Sequence, residues 1–247
     1  MVYFCIEMGV AQTIRNKIER FADGETFTYE QLSIAPKDYI AASKAIERMI
    51  DRELIKRVST GIFYKPKKTV FGELKPNEEE QLKPYLFENG KRIAYITGIS
   101  LYNQLGLTTQ VPNKIKIASR DKRISISRGA LKASPVKSYV DVTDKNYYLL
   151  GILDALKDFN IIPDLDKESG IQRLVQLLKE LNLKEISLLI QAALAYPPRV
   201  RAFLGALLEY LNLTDKLNPL KESLNPLSTY SYEIEKFLST AQNWNIK

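Results

Sequence analysis

The feature that most restricts the fold of this chain is a change of hydrophobic period inside residues 36–66. Apolar side chains first fall at Ala42, Ala45, Ile46, Met49 and Ile50, the spacing of one helix face. Tyr39, Ser43, Lys44, Glu47, Arg48 and Asp51 take the other face. After Leu54 the helical period stops. Ile55-Lys56-Arg57-Val58 and Ile62-Phe63-Tyr64 read as two short strands around Ser59-Thr60-Gly61, and Gly61 supplies the positive-φ residue that a tight hairpin needs. A helix with a polar, partly basic outer face followed by a basic hairpin predicts the reading end of a winged helix-turn-helix. The helix fits a DNA major groove and the hairpin lies along the phosphates beside it.

The flanking sequence completes that order. Val10, Ile14, Ile18 and Phe21 predict a first helix over 10–22, ended by Asp23-Gly24. Thr28 and Gln31 have capping-box spacing, which predicts a short second helix over 28–32 with Phe27 and Leu32 packed on the first. Ala35 precedes Pro36 and is biased to extended backbone, which separates this segment from the third helix at 37–52. The wing is 54–65, and the DNA-binding domain is expected to span 1–70.

Beyond it, 71–76 reads as a connector, 77–88 as a helix interrupted by Pro84, and 92–96 as a strand. A two-turn helix follows Thr97-Gly98 and ends at Gly106, with Ile99, Tyr102 and Leu105 apolar. Residues 114–118, 122–127 and 130–133 alternate apolar with polar or basic side chains and predict an antiparallel sheet with a turn at Arg128-Gly129. From Asn146 the period is helical, over 147–159, 168–181, 184–195 and 198–211, with a further short helix at 232–240. The expected class is α+β. A winged helix-turn-helix precedes a second domain at 75–247, made of a mixed α/β region (75–145) with a basic antiparallel sheet and a helical region (146–247).

Charge and composition narrow the function. Residues 111–140 hold eight Lys/Arg against one Asp/Glu, an excess equal to the net +7 of the whole chain. That points to a polyanion or an acidic protein surface as partner. There is no histidine, which removes histidine general bases, Ser-His triads and His-ligated metals. The single cysteine, Cys5, excludes an internal disulfide or a thiolate cluster. A non-enzyme without metal or cofactor is expected. The first ten residues lack the basic start of a signal peptide and no apolar run spans a bilayer, so a cytoplasmic protein with no membrane partner is expected.

Three stretches carry a family resemblance. They are the wing end Gly61-Ile62-Phe63-Tyr64-Lys65-Pro66, the segment Thr97-Gly98-Ile99-Ser100-Leu101-Tyr102-Asn103-Gln104-Leu105-Gly106-Leu107-Thr108-Thr109-Gln110-Val111-Pro112, and the segment Tyr196-Pro197-Pro198-Arg199-Val200-Arg201-Ala202-Phe203-Leu204-Gly205-Ala206-Leu207-Leu208-Glu209 with Leu224-Asn225-Pro226-Leu227. Together they resemble the AbiEi family of bacterial antitoxins over nearly the whole chain. The resemblance implies a winged helix that binds and represses its own operator, and a C-terminal part that counters a nucleotidyltransferase toxin, AbiEii, in phage defence or element maintenance. The toxin itself needs Gly-Ser followed by paired aspartates for two Mg²⁺ ions. Gly98-Ile99-Ser100 has no such pair after it and Asp164-Leu165-Asp166 has no Gly-Ser before it, so the chain is not the toxin half.

Candidate DNA contacts are Lys37, Tyr39, Ser43, Lys44 and Arg48 on the third helix, and Lys56, Arg57, Thr60, Lys65, Lys67 and Lys68 on the wing and its exit. A solvated helix face and a wing that packs on protein are the plain alternatives. Lys114, Lys116, Arg120, Lys122, Arg123, Arg128, Lys132 and Lys137 form a basic surface with three open readings: the toxin's acidic face, an extended DNA footprint, or a soluble sheet face. Arg199 and Arg201 read as partner contacts or helix braces. Gly205 reads as a close helix–helix approach. Asp164/Asp166 and Asp141/Asp144 read as turn carboxylates rather than metal ligands. The alternative function is a stand-alone DNA-binding regulator whose C-terminal domain senses a ligand or protein.

Overall fold

The computed structural model describes residues 9–69, 72–74, 76–128 and 131–247. The chain is mixed α+β and divides into two compact units, one ending at Lys91 and the other Arg92–Lys247.

In the first unit, helix α1 (Val10–Glu19) buries Ile14 and Ile18, the face that the sequence period marks. Strand β1 (Thr26–Thr28) follows, then a turn, a 3-10 turn at Pro36–Asp38, and helix α2 (Tyr39–Asp51). Strands β2 (Lys56–Ser59) and β3 (Ile62–Tyr64) form the hairpin, with Gly61 at φ 75 in its turn. The sheet order is β1-β3-β2, antiparallel throughout. Ala42, Ala45 and Ile46 of α2 close a core with Ile14, Ile18, Phe27, Leu32, Ile55 and Phe63.

No helix forms at 28–32. The capping contact is made, since the Thr28 N–H donates to Gln31 Oε1 at 2.9 Å. But Thr26–Thr28 pairs with Tyr64, Phe63 and Ile62, and the next residues make only single-turn bonds, Leu32 N–H to Tyr29 and Ser33 N–H to Glu30. Ser33 then turns to φ 46. A cap signature is local, and pairing with the wing strand overrides it.

The 71–76 connector contains a strand. β4 (Lys67–Thr69) pairs with β5 (Gly72–Leu74) in a second hairpin. Phe71 lies outside the described residues. The first unit also extends past residue 70 to include helix α3 (Glu78–Leu86). Pro84 has no N–H, so the Glu80 carbonyl one turn earlier loses its helix donor. The Thr26 hydroxyl donates to that carbonyl at 2.7 Å, and the Thr26 N–H reaches the Glu80 carboxylate at 3.3 Å. The carbonyl that Pro84 leaves without its helix donor thus becomes the attachment of α3 to the sheet edge. Short strands β6 (Phe87–Glu88) and β7 (Lys91–Arg92) follow.

The second unit opens with β8 (Ala94–Thr97) and α4 (Ile99–Gln104), turned at Gly98 and Gly106, both at positive φ. Strands β9 (Ile115–Ser119), β10 (Ile126–Arg128) and β11 (Leu131–Lys137) complete a sheet of order β10-β11-β9-β8. This sheet is mixed rather than antiparallel, because β11 inserts beside β9 and runs parallel to it. Alternation reports that a strand has two faces, not which neighbour it takes. Residues 122–125 are not strand, and Gly129 lies outside the described residues.

Helices α5 (Tyr147–Asp158), α6 (Lys167–Lys179), α7 (Leu183–Ala193), α8 (Pro198–Tyr210) and α9 (Asn218–Glu222) build the main core. α5 is buried almost all round and carries Asp154 at its centre, only 2% exposed. That carboxylate accepts Tyr95 Oη–H at 2.8 Å, Thr97 Oγ1–H at 2.6 Å and Tyr196 Oη–H at 3.2 Å, with Lys157 Nζ at 3.4 Å. Burial first, and then the Asp154 charge, raises the pKa of Tyr95 and Tyr196, which keeps both as donors.

The expected helix at 232–240 is absent. The Tyr232 and Glu233 N–H groups both donate to the Lys247 carbonyl, and Glu233 sits at φ 56, which breaks any helical run. A 3-10 turn forms at Ala241–Trp244. Trp244 lies on Gly205, where an added Cβ would meet ring atoms at 2.3 Å. The glycine therefore makes room for an indole, not for a helix. Trp244 Nε1–H donates to Glu209 Oε2 at 2.5 Å.

Candidate nucleic-acid interface

Helix α2 starts where Ala35 is extended and Pro36 opens the 3-10 turn. Its buried face packs inward, which leaves Tyr39, Ile40, Lys44, Glu47, Arg48 and Asp51 exposed and Ser43 half-buried. Lys37, just before the helix, is exposed. Tyr39 is 50% exposed, with its ring 5.3 Å from that of Tyr29. Lys44 and Arg48 are one turn apart, and Arg48 Nε–H donates to the Lys44 carbonyl at 3.2 Å. Arg48 also lines a cleft of about 200 Å³ with Arg15 and Arg52. The latter two escaped the sequence reading because one lies on α1 and the other past the end of α2. Arg15 is paired with Glu19 at 3.1 Å.

The hairpin residues divide. Thr60 and Lys67 are exposed. Arg57 is exposed and lies over the Phe63 ring at 5.6 Å. Lys56 pairs with Glu73 of β5, whose hydrogen bond raises the lysine pKa. Lys65 pairs with Asp23 at 3.0 Å. Two of the expected phosphate contacts therefore already have carboxylate partners in the unit. Nothing is described of the Lys68 side chain.

The basic residues of the second unit do not form one surface. Lys116 and Lys132 share one side of the sheet, since Lys116 is level with Ser134 and Lys132 lies two residues before it. The Lys116 stem lies over Gly98. Arg120, Lys122, Arg123 and Lys137 gather instead at the far ends of β9 and β11, around a cavity. Arg128 ends β10 and Lys114 precedes β9, both exposed.

Arg199, Arg201, Asp164, Asp166 and Asp144 have structural partners, and Asp141 is exposed. Arg199 donates to the Lys157 carbonyl at 3.0 Å and Arg201 to the Ser223 carbonyl at 2.9 Å. Asp164, at φ 50, accepts both the Thr108 and Thr109 hydroxyls at 2.5 Å, which lowers its pKa. Asp166 caps α6 through the Ser169 N–H. Asp144 pairs with Arg92 at 2.9 Å. Among the described residues no group of three or more Asp, Glu or Cys is placed to hold a metal ion, and no helix is long and apolar enough to cross a membrane.

No curated protein matches the chain. Among solved structures, the crystal structure of RV2827C protein from Mycobacterium tuberculosis superposes with a TM-score of 0.49 at 12% identity, covering 91% of this chain and 85% of that one. A family model matches residues 13–186, and the chain belongs to that family, described as a family of unknown function, DUF6088.

Proposed function

We propose that the protein is the antitoxin of a bacterial toxin–antitoxin system, acting through a winged helix-turn-helix that represses its own operon and a C-terminal part that counters an AbiEii-like nucleotidyltransferase. The observation that carries the DNA-binding half is the outer face of α2, with Lys44 and Arg48 exposed, on the unit that also presents the β2–β3 hairpin with Arg57 and Thr60 exposed. The order α1, β1, turn, α2, β2, β3, with β1 as third strand of the hairpin sheet, supports that reading, and a turn at 29–33 stands where the short second helix was expected. The antitoxin half rests on the resemblance of the 97–112 and 196–227 segments.

In this reading Lys44 and Arg48 contact the duplex, and Arg57, Thr60 and Lys67 follow the phosphates. Each phosphate neutralised adds to the salt dependence of binding. The test uses the full chain. A gel-shift titration on the DNA upstream of its gene, and growth rescue against the neighbouring nucleotidyltransferase, are run with the native protein and with Lys44→Ala/Arg48→Ala. The double variant is expected to lose DNA binding about tenfold or more and to keep rescue. Rescue without any DNA binding by the native chain would remove the repressor role. DNA binding without rescue would remove the antitoxin role and leave a regulator.

A further inference from the structure

The ends of β9 and β11 hold a cavity of about 400 Å³ that neither half of the proposed function uses. Its construction follows from the sheet. β10 pairs with β11 only as far as Ala133, so Ser134 to Lys137 keep a ladder partner on the β9 side alone. Pro135 has no N–H to lose there, which is where a strand tolerates proline. Pro135 and Lys137 project to the same side of the sheet, and Lys137 is level with Ser119. The chain leaving β9 turns over that ground at residues 120–123.

The turn is fixed, not free. Arg120 Nη1 donates to the carbonyls of Ser138 at 3.2 Å and Tyr139 at 2.8 Å. The Ser119 hydroxyl donates to the Ile93 carbonyl at 2.8 Å and accepts the Lys122 N–H at 3.4 Å. The result is a turn held in place by Arg120 that gathers four cationic side chains, Arg120, Lys122, Arg123 and Lys137, against one carboxylate, Asp121, with Pro135 as apolar wall. The volume falls in the ~300–1,000 Å³ range of small-molecule sites. A concave cationic rim suits several phosphate oxygens at once, and the apolar wall suits a base or sugar. An unbranched anion such as a carboxylate would use neither the number of cations nor the wall.

We propose that this cavity binds a nucleoside di- or triphosphate, with the phosphate chain on Arg120, Lys122, Arg123 and Lys137 and the nucleoside against Pro135. The proposal stands whether or not the chain is an antitoxin. Isothermal titration of the full-length protein with ATP, GTP, CTP, UTP and tripolyphosphate at fixed salt tests it, alongside Arg123→Ala, Lys137→Ala and Asp121→Asn. These three side chains are exposed, so unchanged thermal melting should accompany each variant. Saturable binding of at least one nucleotide is expected, weakened about tenfold or more by Arg123→Ala or Lys137→Ala. Asp121→Asn should tighten it, because it removes the one like charge, an effect no bracing role would give. No saturable binding, or binding that the three variants leave unchanged, overturns the proposal. Tripolyphosphate binding as tightly as every nucleotide overturns the nucleotide assignment. Binding only to duplex DNA in a parallel titration does so too, and would return these residues to the DNA footprint.

Discussion

The two units treat charge in opposite ways. In the first, Lys44, Arg48, Arg57 and Lys67 stand in solvent on a small core of aliphatic and phenylalanine side chains. In the second, a carboxylate sits at the centre of the largest core, and three hydroxyls and an ammonium group converge on it. The difference teaches which charges specify the fold and which are available to a partner. Asp154 has spent its hydrogen-bonding capacity inside the unit that contains it. Among the described residues the cations of α2 spend only the Arg48 bond to the Lys44 carbonyl, and Lys56 and Lys65 lie between these extremes because Glu73 and Asp23 already hold them.

The strongest way to break this contrast is Asp154→Ala. It leaves Tyr95, Thr97 and Tyr196 hydroxyls buried without their acceptor, and a loss of about 3–5 kcal/mol is expected in urea unfolding of the second unit. A loss below about 1 kcal/mol would mean that the network is not what specifies α5. Gly205→Ala comes next. Its Cβ would meet Trp244 ring atoms, so the 3-10 turn must shift, at about 1–3 kcal/mol or more. Near-UV circular dichroism of Trp244, the chain's only tryptophan, reads that shift directly.

In the first unit Thr26→Val should cost about 1–2 kcal/mol, because the Glu80 carbonyl then has neither its helix donor nor the hydroxyl. Pro84→Ala restores a helix N–H, so Thr26→Val should cost measurably less in that background; an additive pair would sink the account of the helix break. Lys44→Ala/Arg48→Ala should change stability by no more than about 0.5 kcal/mol, as for surface sites generally. A larger loss would place these cations with Asp154 rather than opposite it.

The smallest effect is in acid. Hydrogen bonds from Thr108 and Thr109 depress the folded-state pKa of Asp164. Their contribution is present in full above the ordinary carboxylate pKa of about 4 and is lost as pH falls through the lower folded-state value. Thr108→Val should therefore lower stability slightly at neutral pH and leave strongly acid pH nearly unchanged, which flattens the acid limb of the stability profile. Glu185, depressed by Tyr148, should do the same; burial together with that carboxylate pushes the tyrosine up to about 12.

What the sequence determined by itself is the set of elements with a strong period. Ile14 and Ile18 marked the buried face of α1, Ala42, Ala45 and Ile46 that of α2, and the four long helices after Asn146 fell within a few residues of their predicted ends. Gly61, Gly98 and Gly106 marked turns because positive φ is a local demand. The exposed α2 face was legible for the same reason, since a helix with one apolar side must show the other to solvent. Only the tertiary structure decided the rest. Thr28 and Gln31 make their capping contact and still form no helix, because strand β3 of the wing claims Thr26 to Thr28. Strand direction in the basic sheet, the hydroxyl under Pro84, the indole on Gly205 and the gathering of Arg120, Arg123 and Lys137 around one cavity all depend on residues far apart in the chain. Periodicity reports how each segment divides between core and solvent, whereas partners across the fold are chosen by geometry that no local pattern encodes.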